Sequence, residues 1–328
     1  MIFWTKIDTP LEFFVILCAI FVVFVNGSTD APNAIFSVVS TGKLKLWQSG
    51  LLSGAFNFLG VIFSCLFGGK IAKSVIEISP IKSGNESAAL CLSCFLTIIL
   101  FGLISWVYGM PSSESHALIF SLAGASFAAS GNVSSFLKST ASVLFYMTIS
   151  CLGAYLLTHF ICRAFSKTSL PCKNLLGLTC ALASYMHGAQ DGQKFIALLL
   201  ILLGMHPSDG SFFGCLPIIL LVGSVLFVST LFGGKKIIDS MTKISSDNTE
   251  KSAFFSDVGT ILTLIICSLL GAPISTGNVK SFSIFATARK ISRENKKMIS
   301  KILLTSLITL PICFVMGALL YILFSRLI

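Results

Sequence analysis

Apolar runs of about 20 residues recur from one end of this 328-residue chain to the other, and each is long enough to cross ~30 Å of hydrocarbon as a helix. A backbone in lipid must satisfy its own N–H and C=O groups, so only helices and closed barrels can span. Barrel strands alternate apolar and polar residues over about 10 positions, and that alternation is absent here. Charge is correspondingly scarce. Asp, Glu, Lys and Arg make up 11% of the residues, against roughly 25% in soluble domains, and 55% are hydrophobic. The sequence therefore predicts an all-α integral membrane protein.

Ten crossings are expected, near residues 11–40, 47–67, 88–108, 115–131, 140–162, 175–203, 213–232, 254–271, 277–290 and 302–326. The fourth and ninth are short and partly polar, so re-entrant hairpins are the alternative there, and the total is about ten to twelve transmembrane segments. The net charge of +10 does not point to nucleic acid, because the basic residues sit in short loops between apolar runs. With the N-terminus outside, the inside loops hold fifteen Lys and Arg residues and the outside loops four. That asymmetry favours this orientation in a cell (plasma or inner) membrane, with both termini outside. No cleavable signal peptide is expected: Lys6 is balanced by Asp8 and Glu12, and no small-residue cleavage site ends the first apolar run. Cys91 and Cys94 have a C-x-x-C spacing but no second pair nearby, so they read as ordinary helix residues. The 29 Phe residues read as lipid-facing and packing surface.

Three features occur twice in the same order. Asn26-Gly27-Ser28-Thr29-Asp30 with Asn33 matches His187-Gly188-Ala189-Gln190-Asp191 with Lys194. Phe67-Gly68-Gly69-Lys70-Ile71 matches Phe232-Gly233-Gly234-Lys235-Lys236-Ile237. Gly109-Met110-Pro111-Ser112-Ser113 matches Gly271-Ala272-Pro273-Ile274-Ser275-Thr276. The offsets are 161, 165 and 162 residues, which predicts a duplication with one repeat in 1–165 and the other in 166–328. With five crossings in each, the second enters from the opposite side. Inverted-topology repeats of this kind build secondary transporters, which hold their substrate near the midplane on broken helices.

Asp30 and Asp191 interrupt apolar segments, and a carboxylate at that depth costs roughly 2.5–3.5 kcal/mol on insertion scales. It needs a cation, a proton or a partner. Carboxylate, Asn oxygen, hydroxyl and unwound carbonyl are hard ligands that suit Na⁺, and Gly27 and Pro32 favour the break that frees such carbonyls. The Pro-Ser-Ser and Pro-Ile-Ser-Thr segments instead place hydroxyls at helix starts, where free N–H groups and the positive dipole end bind anions. Two such ends facing each other suit a tetrahedral oxyanion.

These segments resemble those of the inorganic phosphate transporter (PiT) family. Asn26–Asn33 with Ala34 is similar to its N-G-x-x-D-x-x-N-A signature, and His187–Lys194 to the second copy in the form H-G-A-x-D-G-Q-K. Gly109–His116 resembles G-x-P-x-S-S-T-H, and Gly271–Thr276 resembles G-x-P-x-S-T. The resemblance spans essentially the whole chain. It implies phosphate uptake by symport with Na⁺ or H⁺, without catalytic residues or further cofactors. The expected phosphate ligands are Asn33, Ser112, Ser113, Gln190, Lys194, Ser275 and Thr276. The cation would be held by Asn26, Asp30 and Asp191, with Na⁺ at the two aspartates. Glu114, His116 and His187 are candidates for a proton or charge-pair role.

Two charged residues break the match between the two copies. Lys194 stands where the first copy has Asn33, and Glu114 where the second copy has Thr276. The Lys194 ammonium can replace a bound cation or contact phosphate, and Glu114 can pair with it or take up a proton. The alternative is that Lys194 snorkels to an interface and Glu114 points into a loop. His159 and His206 read as interfacial, and Asp257 and Lys280, near helix ends, as solvated. Sulfate, also tetrahedral, is the alternative substrate. An intramembrane hydrolase would need one nucleophile or metal set, whereas polar residues here are shared between two copies. A channel would need rings of charge. Gly50 and Gly54 allow a close helix contact, within one chain or in a homo-oligomer. The short loops leave regulation to a separate cytoplasmic protein.

Overall fold

The computed structural model describes residues 9–79, 84–107, 113–131, 133–205, 212–233, 235–242, 244, 249–288 and 292–328. Every regular element among them is helical. The first half comprises α1 (Pro10–Thr29), α2 (Pro32–Ser40), α3 (Leu46–Leu66), a short α4 (Lys70–Ile76), α5 (Asn85–Val107), α6 (Glu114–Ser130) and α7 (Val133–Ala164). The second comprises α8 (Cys172–His187), a π turn (Gly188–Gly192), α9 (Gln193–Leu202), a 3-10 turn (Phe213–Cys215), α10 (Leu216–Thr230), a short α11 (Lys235–Thr242), α12 (Glu250–Leu269), α13 (Thr276–Ala286) and α14 (Arg293–Leu327).

Local chemistry explains where the first crossing starts and breaks. Thr9 Oγ1 accepts from Glu12 N at 3.2 Å, and Glu12 Oε2 accepts from Thr9 N at 3.1 Å, a reciprocal cap over the first turn of α1. Pro32 has no N–H to offer the Ser28 carbonyl. Beyond it, Asn33 N donates to Asp30 O and Ala34 N to Ala31 O, both at 3.0 Å, in three-residue steps instead of four. In the second copy the position of Pro32 is taken by Gln193. With its N–H intact the chain does not part there but widens into the π turn, which carries Gln190 and Asp191.

Contacts between helices fall into matched pairs. α1 packs on α10 as α8 packs on α3, and α4 packs on α9 as α11 packs on α2. α5 and α6 lie against α14, as α12 and α13 lie against α7. The last helix of each half therefore covers the other half. Close approaches carry these packings: a Cβ at Gly54 would meet Phe227 O of α10 at 2.9 Å, so the Gly50–Gly54 face is an internal contact. Gly124 of α6 faces the Phe314 carbonyl of α14, where a Cβ would lie at 2.0 Å. Gly124→Ala is expected to destabilise the α6–α14 packing by about 1–3 kcal/mol, seen as a lower melting temperature in detergent.

Seven helical segments among the described residues are long and apolar enough to cross a membrane: Pro10–Ser40, Leu46–Leu66, Asn85–Leu103, Thr140–Ala164, Phe213–Thr230, Glu250–Leu269 and Arg293–Leu327. Large apolar side chains such as Phe13, Leu17 and Phe21 on α1 and Leu307, Leu319 and Leu323 on α14 point outward, where lipid is the compatible solvent. The segments expected as fourth, sixth and ninth crossings fall outside this set, the sixth being divided into α8, the π turn and α9. α6 has 17 residues and α13 has 11, so at 1.5 Å per residue α13 reaches only about 16 Å. Both are largely buried in protein, which is where short helices at membrane depth are tolerated.

Candidate functional site

The break after α1, the π turn and the N-terminal ends of α6 and α13 converge. One ligand atom each from Asp30, His187 and Asp191 lie within 4.8 Å of one another, and all three residues are buried. Around Asp30, Asn26 Nδ2 donates to Oδ2 at 3.3 Å, and Asn33 Nδ2 donates to the Asp30 carbonyl at 2.8 Å and to Oδ1 at 3.5 Å. Glu114 is only 4% exposed and accepts from the Thr29 hydroxyl through Oε1. Among the described residues, its Oε2 and the Asn26 Oδ1 are buried acceptors with no hydrogen-bond partner. Buried polar atoms normally find a partner, so this face is short of donors or a cation.

The Asp191 face is built differently. Lys194, 1% exposed, donates to Asp191 Oδ1 at 2.6 Å, to Ser115 Oγ at 2.7 Å and to the Ile274 carbonyl at 2.5 Å. A carboxylate, a hydroxyl and a main-chain carbonyl are the donor set a small hard cation takes, and here the ammonium fills it. Thr276 Oγ1 donates to Asp191 Oδ2 at 3.2 Å. His187 Nδ1 lies 3.1 Å from Asn57 Oδ1, and Nε2 lies 3.1 Å from Asp191 Oδ2 without hydrogen-bond alignment.

The two shortened helices present their first turns to this cluster. Ser113 caps α6, its hydroxyl accepting from His116 N at 3.3 Å, and Ser275 caps α13, accepting from Asn278 N at 3.3 Å. The Ser113 hydroxyl donates to Ser275 Oγ at 2.8 Å, so the two ends meet directly. The first amides of each helix have no carbonyl within their own helix to bond and bring the positive ends of both dipoles together. Gly277 lets Asn33 reach the α13 backbone, since a Cβ there would lie 2.9 Å from Asn33 Nδ2.

The structure thus brings together Asn26, Asp30, Asn33, Ser113, Glu114, His116, His187, Gln190, Asp191, Lys194, Ser275 and Thr276; Ser112 lies outside the described residues. Several assignments change. Lys194 does not snorkel and Glu114 does not point into a loop, because both are buried. They also use different partners: Lys194 turns to Asp191 three residues earlier, and Glu114 to Thr29. Gln190 braces the segment before α13, its Nε2 donating to Ser268 Oγ at 3.0 Å and to Ala272 O at 3.5 Å, while Ile274 N reaches its Oε1 at 3.5 Å. His116 rests its Nδ1 on the capping Ser113 hydroxyl. Thr29, Asn57, Ser115 and the Ile274 carbonyl were not expected from the sequence. For Ser115, its place between Glu114 and His116 in the family-like stretch Gly109–His116 was the available signal.

Comparison with known proteins places this arrangement. The chain is 28% identical over 330 residues to a probable low-affinity inorganic phosphate transporter of Bacillus subtilis (strain 168), covering 95% of this chain and 96% of that one. A protein of the same description from Rhizobium meliloti (strain 1021) is 28% identical over 324 residues, covering 95% and 96%. A solved structure described as the sodium-dependent phosphate transporter superposes with a TM-score of 0.84 at 17% identity, over 98% of this chain and 100% of that one; at that identity it shows the fold. The model of the phosphate transporter family matches twice, over residues 26–177 and 164–317, and each match includes one aspartate motif and one Ser-capped helix end. On that coverage the chain belongs to the phosphate transporter family, a family of transporters and not of enzymes.

Proposed function

We propose that the chain carries inorganic phosphate across a cell membrane by alternating access, in symport with Na⁺ or H⁺. One observation carries this reading: two Ser-capped helix ends meet beside a buried Asp30–His187–Asp191 cluster. The helix ends supply N–H groups and positive dipoles for an oxyanion. The carboxylates supply the opposite charge that a co-transported cation requires. An anion alone would be repelled by the Asp30 carboxylate, since Lys194 already offsets Asp191, and a cation alone would leave the two dipole ends facing each other. Taken together, anion and cation neutralise both features, which is the physical content of symport.

We read the chain as two repeats of opposite orientation, 1–165 and 166–328, with both termini outside and with α6 and α13 as short segments buried in protein; the matched helix contacts support the repeat. Exchange of two equivalent arrangements would then open the site to each side in turn. The unpartnered acceptors on Asn26 and Glu114 favour phosphate over sulfate, because a protonated phosphate donates a hydrogen bond and sulfate near neutral pH does not. Lys194 serves as a resident cation in the second copy, so the transported ion belongs to the Asp30 copy, where Glu114 can also hold a proton.

Radiolabelled phosphate uptake into proteoliposomes, with Na⁺ and pH gradients imposed separately and sulfate as competitor, tests the reading. Uptake driven by one gradient and resistant to sulfate is expected. No uptake under either gradient, or equal competition by sulfate, overturns it. Ser275→Ala removes one helix cap and one hydroxyl at the meeting point. It is expected to raise the KM for phosphate about 10-fold, the scale of one hydrogen bond, in the same assay.

A further inference from the structure

A second buried charge pair lies outside the site, where α2, α8, α12 and α13 meet. Lys280 is 1% exposed and Asp257 0%, so the sequence expectation of solvated positions is corrected: the short α13 carries Lys280 inside the bundle, and Asp257 lies on the buried face of the longer α12. Lys280 Nζ donates to Asp257 Oδ1, to Ser37 Oγ at 3.0 Å and to Ser256 Oγ at 3.2 Å. The Ser37 hydroxyl donates to Asp257 Oδ1 and the Thr179 hydroxyl to Oδ2, each at 2.6 Å. Both carboxylate oxygens and the ammonium are thus occupied within the cluster. Such a group fastens helices together and leaves no vacancy for a ligand.

Its place matters. Lys280 is one turn into α13 from Thr276, and Ser37 is one turn into α2 from Asn33. The pair therefore sits one helical turn from the site, on the side toward which α2 and α13 run. The duplicated motifs and helix starts align Ser37 with Leu198, Thr179 with Cys18, Asp257 with Leu92 and Lys280 with Leu118. Those four belong to, or pack against, one apolar core. On one side of the site the packing is apolar, and on the other it holds an ion pair shared among four helices.

We infer that Asp257 and Lys280 are positioning residues that clasp α2 and α13 to α12, and that they must part before the site opens on that side. This rests on the alternating-access reading above. Either charge left alone in the dry bundle is strongly unfavourable, so the clasp resists partial opening. Once water enters, both ends hydrate, and the closure gives way as a unit. The apolar closure opposite has no such step.

The test uses the full chain in lipid nanodiscs and in liposomes. Hydrogen exchange is followed over residues 32–40 and 276–286, and over their counterparts 193–202 and 114–130. The apparent phosphate affinity is measured separately from each membrane face. Asp257→Asn, and the neutral pair Asp257→Asn with Lys280→Gln for the case where the single variant does not fold, should accelerate exchange about 10-fold in the first two segments and leave the counterparts unchanged. Apparent affinity should rise on the clasp side and fall on the other, each by about 5-fold, as a shifted two-state equilibrium requires. The reversed pair Asp257→Lys with Lys280→Asp should restore both readouts. Unchanged exchange, or affinity moving the same way on both faces, overturns the clasp. Absence of phosphate transport by the wild type would remove the transport reading while the exchange data still judged the clasp.

Discussion

Asp191→Asn is expected to abolish phosphate uptake and to lower the stability of the folded protein by about 3–5 kcal/mol, the cost of leaving one member of a buried ion pair alone. Among the described residues, Asp191 is the only carboxylate at hydrogen-bonding distance from the Lys194 ammonium; Ser115 and the Ile274 carbonyl are neutral. Without it, a charge stays in the bundle with no counter-charge at hydrogen-bonding distance. Adding Lys194→Met should return most of the lost stability without returning transport. Asp30→Asn should separate the two effects from the other direction, since Asp30 is bonded by the neutral Asn26 and Asn33 side chains. Uptake should fall more than about 100-fold with little change in melting temperature, because a cation site loses its charge while no ammonium is orphaned. Thermal unfolding in detergent beside the uptake assay checks all three variants. Equal stability of Asp191→Asn and Asp30→Asn would contradict the account.

Lys194→Asn has the second large effect. It restores the residue type of the first copy and removes the resident cation from beside Asp191. The freed carboxylate, the Ser115 hydroxyl and the Ile274 carbonyl then form an oxygen cage of the kind that takes a small hard cation. The expected outcome is one additional Na⁺ carried per phosphate, with uptake becoming steeply dependent on Na⁺ concentration. Paired isotope fluxes of Na⁺ and phosphate measure the ratio. An unchanged ratio and unchanged affinity would show that the ammonium does not stand in for a transported ion.

Much of this was legible in the sequence because the chain repeats its chemistry. Asp30 and Asp191 sit at equivalent places in a duplicated motif, and Pro32 announces the break beside the first of them. The Ser caps at 113 and 275 follow from Pro and hydroxyls at helix starts. What stayed hidden depends on partners distant along the chain. Asp257 and Ser37 are 220 residues apart, and nothing near Asp257 says that a lysine will meet it inside the bundle. The partner of Lys194 was misjudged for the opposite reason: Asp191 is three residues away on the same helical stretch, and that local contact prevails over the cross-chain match to Glu114. The number of crossings was blurred because apolar composition cannot separate a full span from a buried half-length helix such as α13.

The exchange of end helices has a consequence for biosynthesis. A chain inserted from its N-terminus completes α5 and α6 long before α14 exists to cover them. Until α14 emerges from the ribosome, the Gly124 face of α6 has only lipid, or an insertion chaperone, as its neighbour. The first-made half therefore waits for α14, and its maturation should be all-or-none once that helix is made, with nascent chains stalled before residue 293 open to quality-control proteases.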